Sequence, residues 1–389
     1  MEVETVPLES ALFRVLAEKA EAQISVPPFP RSMMDGYAVR AEEVKEGEPL
    51  PCHQTIAAGD SVHHQLPPHE AVKIMTGAPV PEGANAILRR EWCEEQRNAI
   101  VPLRLVHKGE SIQNSGEDAM VGEVLLHPGI QLHGRHIASL KTFGVTQVAV
   151  YQLPRVAIVT SGSELVHDVN QPLAHGQIYA TNDWLLRGAL HADGIPVTEI
   201  RCVGDDYHQL RTTLVDLAKV VDVILLTGGA SVGDFDYAPA ILKDICAEIF
   251  VSNVYVRPGS HFLAGQTANT SIFVLSGNPF ACFTQFETLV RPALRKRIGL
   301  SSNSFSFQAR LLHPLHLKPI KHTRIWQADA SFKDASLFVS AQTTQSPGAI
   351  HGLFSANCLI RLDESDYAEG DIVPLQWIEN SPCPHIKCV

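Results

Sequence analysis

The chain of 389 residues has no apolar run near the roughly 18 residues a bilayer-spanning helix needs, so no membrane segment is expected. It opens on Met1-Glu2-Val3-Glu4-Thr5, without the basic start of a secretory signal, and reads as cytoplasmic. Basic side chains are the scarcer sign, 31 Lys and Arg against 42 Asp and Glu, for a net charge of −11. A general nucleic-acid surface needs clustered cations against phosphates and is not expected. The eight cysteines (52, 93, 202, 246, 282, 358, 383 and 388) form no Cys-x-x-Cys pair and read as reduced core residues, not as a disulfide frame. Eighteen histidines supply no zinc-protease pairing around a Glu, and surface positions are expected for them. There is no Gly-x-Gly-x-x-Gly after the first α/β strand and no Walker lysine motif, so neither a dinucleotide fold nor a P-loop ATPase fits.

What is present is the composition of a globular protein, 45% hydrophobic and 19% charged, long enough for about two to four domains. Apolar residues at Leu8, Ala11, Leu12, Val15, Leu16 and Ala20 follow a helical period and predict a helix over 8–23. A proline-rich linker follows at 26–30, then Asp35-Gly36, which is turn chemistry with Asp35 either a site residue or a turn former. Residues 40–112 read as short strands punctuated by Gly and Pro, a small β domain, with the Thr76 hydroxyl at the turn that ends one strand. Residues 109–152, with a helix near 136–142, are expected to pack back on the N-terminal segment and make that β domain an insertion. From Pro154 to about 297, strand alternates with helix, the signature of a largely parallel sheet. One strand is expected over 251–256, ending in Arg257-Pro258-Gly259-Ser260-His261. Residues 305–389 lose this rhythm and read as a small β-barrel or sandwich.

The chemistry concentrates at the predicted strand ends. Asp222 leads into four consecutive apolar residues at 223–226, a strand buried on both faces, which breaks into Thr227-Gly228-Gly229 and then Gly233-Asp234 and Asp236. Glycines let the backbone turn sharply and offer its N–H groups to an oxyanion. The neighbouring strand ends deliver Ser161, Gly162 and Glu164, then Asp205, and finally Ser276-Gly277-Asn278-Pro279 at a helix start. Parallel sheets bind ligands beyond these ends. Several carboxylates on one rim repel unless a cation lies among them, and Mg²⁺ takes few protein oxygens and bridges phosphates. A phosphate-and-metal site is therefore expected, with Glu164, Asp205 and Asp236 as metal ligands and Ser231 among the ligand-binding residues.

Six ordered motifs then become familiar: Met34-Asp35-Gly36-Tyr37-Ala38, Ile74-Met75-Thr76-Gly77-Ala78-Pro79, Gly116-Glu117-Asp118, Ser161-Gly162-Ser163-Glu164-Leu165, Gly228-Gly229-Ala230-Ser231-Val232-Gly233 with Asp236-Tyr237, and Gly277-Asn278-Pro279. Across nearly the whole chain they resemble the molybdopterin molybdenumtransferase family, whose eukaryotic relative is the E domain of gephyrin. The resemblance implies a multi-domain α/β plus β protein. Its parts are a split, dimerising domain of 1–40 and 113–152, an inserted β-rich domain of 41–112, a three-layer α/β domain of 153–300 and a C-terminal β-barrel of 301–389. It implies a homodimer that inserts molybdenum from molybdate into adenylylated molybdopterin, releasing AMP, with Mg²⁺. Molybdopterin adenylyltransferase and apo-molybdoenzymes are the implied partners.

Carried over by position, Glu164, Asp205 and Asp236 match acids at the cofactor and metal site, Asp35 and Thr76 match positions contributed by the neighbouring subunit, and Asp118 matches a further acidic position. The family's usual Lys-Pro-Gly-Lys-Pro is here Arg257-Pro258-Gly259-Ser260-His261: Arg257 keeps a cation, and His261 supplies charge only when protonated. Arginines expected elsewhere are Gln113 and Gln327, with Arg324 nearby, and the Ser-Gly pair near Ser346-Pro347-Gly348 is disturbed. The competing reading is a carrier of the same fold that binds molybdopterin or a nucleotide without turnover.

Overall fold

The computed structural model describes residues 2–60, 65–229, 237–301 and 304–378. Backbone proximity divides the chain into two compact units, one of Thr5–Leu12 and Leu16–Val150, the other of Met1–Glu4, Phe13–Val15 and Tyr151–Val389. No helix among the described residues is long and apolar enough to cross a membrane.

In the first of these units, Leu8, Ala11, Leu16 and Ala20 are buried with Leu132, Leu140, Val145, Val148 and Val150. The helix expected over 8–23 does not form. A single 3-10 turn, Leu8–Ser10, gives way to extended chain and the short strand Ala20–Glu21. The reason lies in distant partners: the Leu8, Leu16 and Ala17 N–H groups donate to Thr146, Ile130 and Ala149 carbonyls at 2.9 Å each. The apolar spacing is satisfied by burial against a later segment, so tertiary packing overrides the local period. That later segment does carry the expected helix, Gly134–Thr142.

Ala20–Glu21 pairs with Val124–Leu126, and Arg31–Ser32 with Ile112–Gln113. The chain that leaves at 32 thus rejoins at 112, and between them it builds its own six-stranded sheet. Its order is Ala86–Arg89, Gly36–Val39, Ala71–Ile74, Leu50–Ile56, Ala99–Pro102, Cys93–Gln96. Alternate residues feed two cores, Tyr37, Val39 and Leu88 on one face and Ala38, Ile74 and Ile87 on the other.

The second unit holds another six-stranded sheet, ordered Val197–Val203, Val156–Ser161, Val223–Thr227, Ser271–Leu275, Leu263–Gln266, Glu248–Ser252. The first four strands are parallel and the last two antiparallel. Val223, Ile224, Leu225 and Leu226 are at most 1% exposed. Val223 and Leu225 point to a layer containing Leu186, Leu190, Phe286 and Leu294; Ile224 and Leu226 point to one containing Leu210, Leu214, Ile241 and Leu242. Helices therefore cover both faces, which is why this strand reads as a continuous apolar run. Each such side chain contributes about 1.5–3 kcal/mol by burial.

The strand expected over 251–256 is instead two pieces. Glu248–Ser252 closes the sheet edge, Asn253 turns at φ 66°, and Val256–Arg257 leaves to run parallel to Thr323–Lys333. Strand Leu263–Gln266, which carries a glycine, went unread in the sequence. Beyond it, Thr323–Lys333, Ser336–Ala341, Phe307–Leu311, Ile372–Trp377 and Cys358–Leu362 form a ring closed by pairing of the first with the last. This is a five-stranded barrel rather than a sandwich, filled by Val339, Ile360, Val373 and Leu375. Phe280 and Phe283 of the α/β part pack against Ile325 and Leu359 of the barrel.

Candidate active site

The four parallel strands end at Ser161, Val203, Thr227 and Leu275, and the loops that follow enclose one open cleft of about 740 Å³. Its lining includes Ser161, Gly162, Glu164, Asp205, Gly228, Gly229, Ser276, Gly277, Asn278 and Pro279. Ten residues singled out in the sequence are thus brought to one place. Ser231 and Asp236 lie outside the described residues.

The loops are locked to one another by their own polar groups. Ser163 N–H donates to Asp205 Oδ2 at 2.9 Å, while Asp205 N–H donates to Ser163 Oγ at 3.1 Å. Ser163, inside a recognised motif but unassigned in the sequence reading, is what orients Asp205. Glu164 folds over its own turn: a Cβ at Gly162 would lie 2.6 Å from Glu164 Oε2, and the carboxylate would have to swing aside to admit it. Gly228 takes φ 94°, and a Cβ there would stand 2.3 Å from the Ser161 carbonyl oxygen. On the far rim, Ser276 N–H donates to Gln285 Oε1 at 2.7 Å and Asn278 N–H to Ser276 Oγ at 3.2 Å. Asn182 Nδ2 holds the Gly277 carbonyl at 2.9 Å.

The cleft also takes residues the sequence reading missed. Tyr179, Thr181 and Asn182 come from the entry to helix Asn182–Ala192 and Ile350 from the loop between two barrel strands, beside Gly348 of the disturbed Ser-Gly pair, which the sequence did single out. Thr181-Asn182 before a helical period was a detectable capping signal. For Ile350 no local signal existed, since only closure of the barrel brings it there.

Among the described residues no group of three or more His, Cys, Asp or Glu is placed to hold a metal. Glu164 and Asp205 are two hard oxygen donors on one cleft, a donor set that suits Mg²⁺ and not a soft metal.

The remaining candidates sit elsewhere. Arg257 is exposed on Val256–Arg257 and is not among the residues lining the cleft. In the other unit, Asp35 Oδ1 accepts from Thr76 N–H and from the Thr76 hydroxyl, both at 2.8 Å. These bonds, backbone first, then hydroxyl, hold the Asp35 carboxyl below the ordinary range. Asp118 is exposed, its N–H donated to the Val26 carbonyl at 3.0 Å, and it is not part of the small pocket that contains Asp35.

The departures from the family pattern have structural partners. Gln113 Oε1 accepts from Arg31 Nε at 2.8 Å. Gln327 is fully buried in the barrel; its backbone is bracketed by the Gln345 amide through bonds of 3.0 and 2.8 Å and its Nε2 reaches the Ala349 carbonyl at 3.5 Å, while its Oε1 finds no hydrogen-bond partner among the described residues. Arg324 is spent on the carbonyls of Lys318 and Glu364. The six described cysteines are free; Cys282 and Cys358 are buried, as expected, but Cys202 is exposed, with its thiol 3.5 Å from His167 Nδ1.

A mixed α/β sheet with acids and glycine turns at its parallel strand ends, joined to a closed barrel, defines a multi-domain protein with an open cleft beyond those ends. Two family models match: the MoeA N-terminal region (domain I and II) over residues 1–144, and the probable molybdopterin binding domain over 157–296. A Staphylococcus aureus (strain Mu50) protein named molybdopterin molybdenumtransferase is 34% identical over 364 residues, covering 92% of this chain and 86% of that protein. Two structures of the molybdopterin biosynthesis MoeA protein of Pyrococcus horikoshii superpose with TM-scores of 0.81 and 0.77 at 28% and 27% identity. They cover 97% of this chain and 94% and 95% of theirs. The chain belongs to the molybdopterin molybdenumtransferase family.

Proposed function

We propose that this chain is a molybdopterin molybdenumtransferase that inserts molybdenum from molybdate into adenylylated molybdopterin and releases AMP. The observation that carries the reading is the convergence of Glu164, Asp205, the Gly228-Gly229 turn and the Ser276–Pro279 turn on one cleft in a chain of this family. Ser163 holds Asp205 in place at the rim of this cleft. Glu164 and Asp205, with Asp236, would hold Mg²⁺, which when bound neutralises phosphate charge.

Under the same proposal, the split segment of 1–40 and 113–152 dimerises the chain, and Asp35 and Thr76 serve the cleft of the neighbouring subunit. Asp118 and Arg257 have supporting roles. The family's functional positions and the Asp35–Thr76 bond support this arrangement. The reaction sits in the cytoplasm, downstream of a molybdopterin adenylyltransferase and upstream of apo-molybdoenzymes.

The deciding experiment is anaerobic. Purified chain, adenylylated molybdopterin, Mg²⁺ and molybdate are combined, with AMP release and reconstitution of an apo-molybdoenzyme as readouts. Both signals should depend on molybdate, and Glu164→Ala and Asp205→Ala should each lose at least about a hundredfold in rate without loss of fold. Full activity in both variants would falsify the site. A second reading, a non-catalytic carrier, is favoured by the lack of Lys or Arg among the described residues lining the cleft. It is distinguished by tight pterin binding with neither signal.

A further inference from the structure

One edge of the barrel strand Thr323–Lys333 is covered in two pieces. Ser336–Ala341 pairs with it only as far as Ala328 opposite Ala341, and Val256–Arg257 pairs at Thr323 and Arg324. Between the two lies Gln327, fully buried, and a buried backbone N–H or carbonyl needs a partner. The side chain of Gln345 fills the gap as a short piece of strand would. Its Oε1 accepts from the Gln327 N–H at 3.0 Å, and its Nε2 donates to the Gln327 carbonyl at 2.8 Å and to the Gln342 carbonyl at 3.0 Å. Both N–H bonds of that amide are therefore used. This fixes where the loop after Ser336–Ala341 turns back. From Gln345 the loop runs on through Gly348 and Ile350, which line the cleft, and meets the α/β part at the rim. There the Pro347 carbonyl accepts from the Ala281 N–H at 3.1 Å, and a Cβ at Gly348 would stand 3.7 Å from Asn278 Oδ1.

We infer that Gln345 is a positioning residue of the cleft: by standing in for a missing stretch of strand, its side-chain amide holds the barrel loop 346–350 as the wall that faces the Ser276–Pro279 turn, against which the substrate is bound. Gln345 is not among the lining residues, so it acts through Gly348 and Ile350. A loop released from this amide has to be ordered again each time substrate binds, so the loss falls on affinity and spares the chemical step. The inference rests on the reading of the cleft as the site for adenylylated molybdopterin.

The test measures, on the full chain under anaerobic conditions, the dissociation constant for adenylylated molybdopterin, kcat at saturating substrate, and Tm. Gln345→Met keeps the length of the side chain without its amide, and it should weaken binding about tenfold with kcat within about twofold of the wild type. Ile350 is 39% exposed and makes none of the loop's hydrogen bonds through its side chain, so Ile350→Ala should weaken binding at an unchanged Tm. Val373→Ala is the control: it removes packing from the barrel core without touching the loop, and should lower Tm while leaving the dissociation constant where it was. Unchanged affinity in Gln345→Met, or an equal loss of affinity in Val373→Ala, would overturn the inference while leaving the cleft as the substrate site. A kcat that falls with affinity unchanged would do the same. A wild type that binds no adenylylated molybdopterin would overturn the reading of the cleft itself, and this inference with it.

Discussion

Replacing Gly228 by alanine tests the geometry that brings two strand ends together. At φ 94° any residue with a Cβ leaves its preferred backbone region, at a cost of about 1–2 kcal/mol. The added methyl would also stand 2.3 Å from the Ser161 carbonyl oxygen, which belongs to the neighbouring strand and cannot rotate away. Forced overpacking of this kind adds about 1–3 kcal/mol. Gly228→Ala should therefore destabilise by about 2–5 kcal/mol. Gly176 provides the control: it has φ 86° and no atom within 4 Å of where a Cβ would stand, so Gly176→Ala should cost only the backbone share of about 1–2 kcal/mol. Urea denaturation of both variants, followed by the midpoint at unchanged slope, separates the two contributions. Equal losses in the two variants would refute the close approach, and with it the packing of the glycine turn against Ser161. Because Gly228 and Ser161 both line the cleft, the variant should also bind AMP more weakly at temperatures where it remains folded.

Arg291 joins Asp193 at 2.7 Å and Glu287 at 2.7 Å with all three side chains at most 4% exposed, and Asp193 also meets Arg295 at 2.9 Å, so Arg291→Met should remove the cation the two acids share while Asp193 keeps Arg295, and cost about 3 kcal/mol in urea unfolding. A loss under about 1 kcal/mol would contradict a dry network there. The Asp35 carboxyl is held below its ordinary value, so the charged form is favoured in the folded chain. The stability this gives is present at neutral pH and lost as pH falls through the depressed folded value. Thr76→Val removes the hydroxyl bond but keeps the N–H, and NMR titration should show the Asp35 carboxyl moving up toward the ordinary range; an unmoved titration would argue against that bond.

The parts of the fold legible beforehand were those whose local pattern and tertiary environment agree. Val223 to Leu226 read as a doubly buried strand because helices do cover both of its faces. Ala238–Ile245 and Ser271–Leu275 likewise form a helix and a strand within the alternation read from Pro154 to about 297. The segment over 8–23 misled because a helix-like spacing of apolar residues is also what a meandering chain shows when a later strand and helix bury it. Residues 251–256 misled because one apolar run serves two sheets, parting at Asn253.

By itself the sequence determined the strand–helix alternation, the glycine turns and the acids at the strand ends, because a residue's neighbours along the chain decide whether a strand can be buried and where it must turn. It also carried the order of motifs that marks the family. Only the tertiary structure decided that Ser163 orients Asp205 and that, among the described residues, Gln113 and Arg324 are occupied by structural partners, Gln327 Oε1 is buried without one, and His261 is the basic group lining the cleft. Those facts depend on contacts such as Gln285 with His261, 24 positions apart, and on closure of a barrel that delivers Ile350 to the rim. Spacing along a chain does not encode such meetings; the packing of whole sheets does.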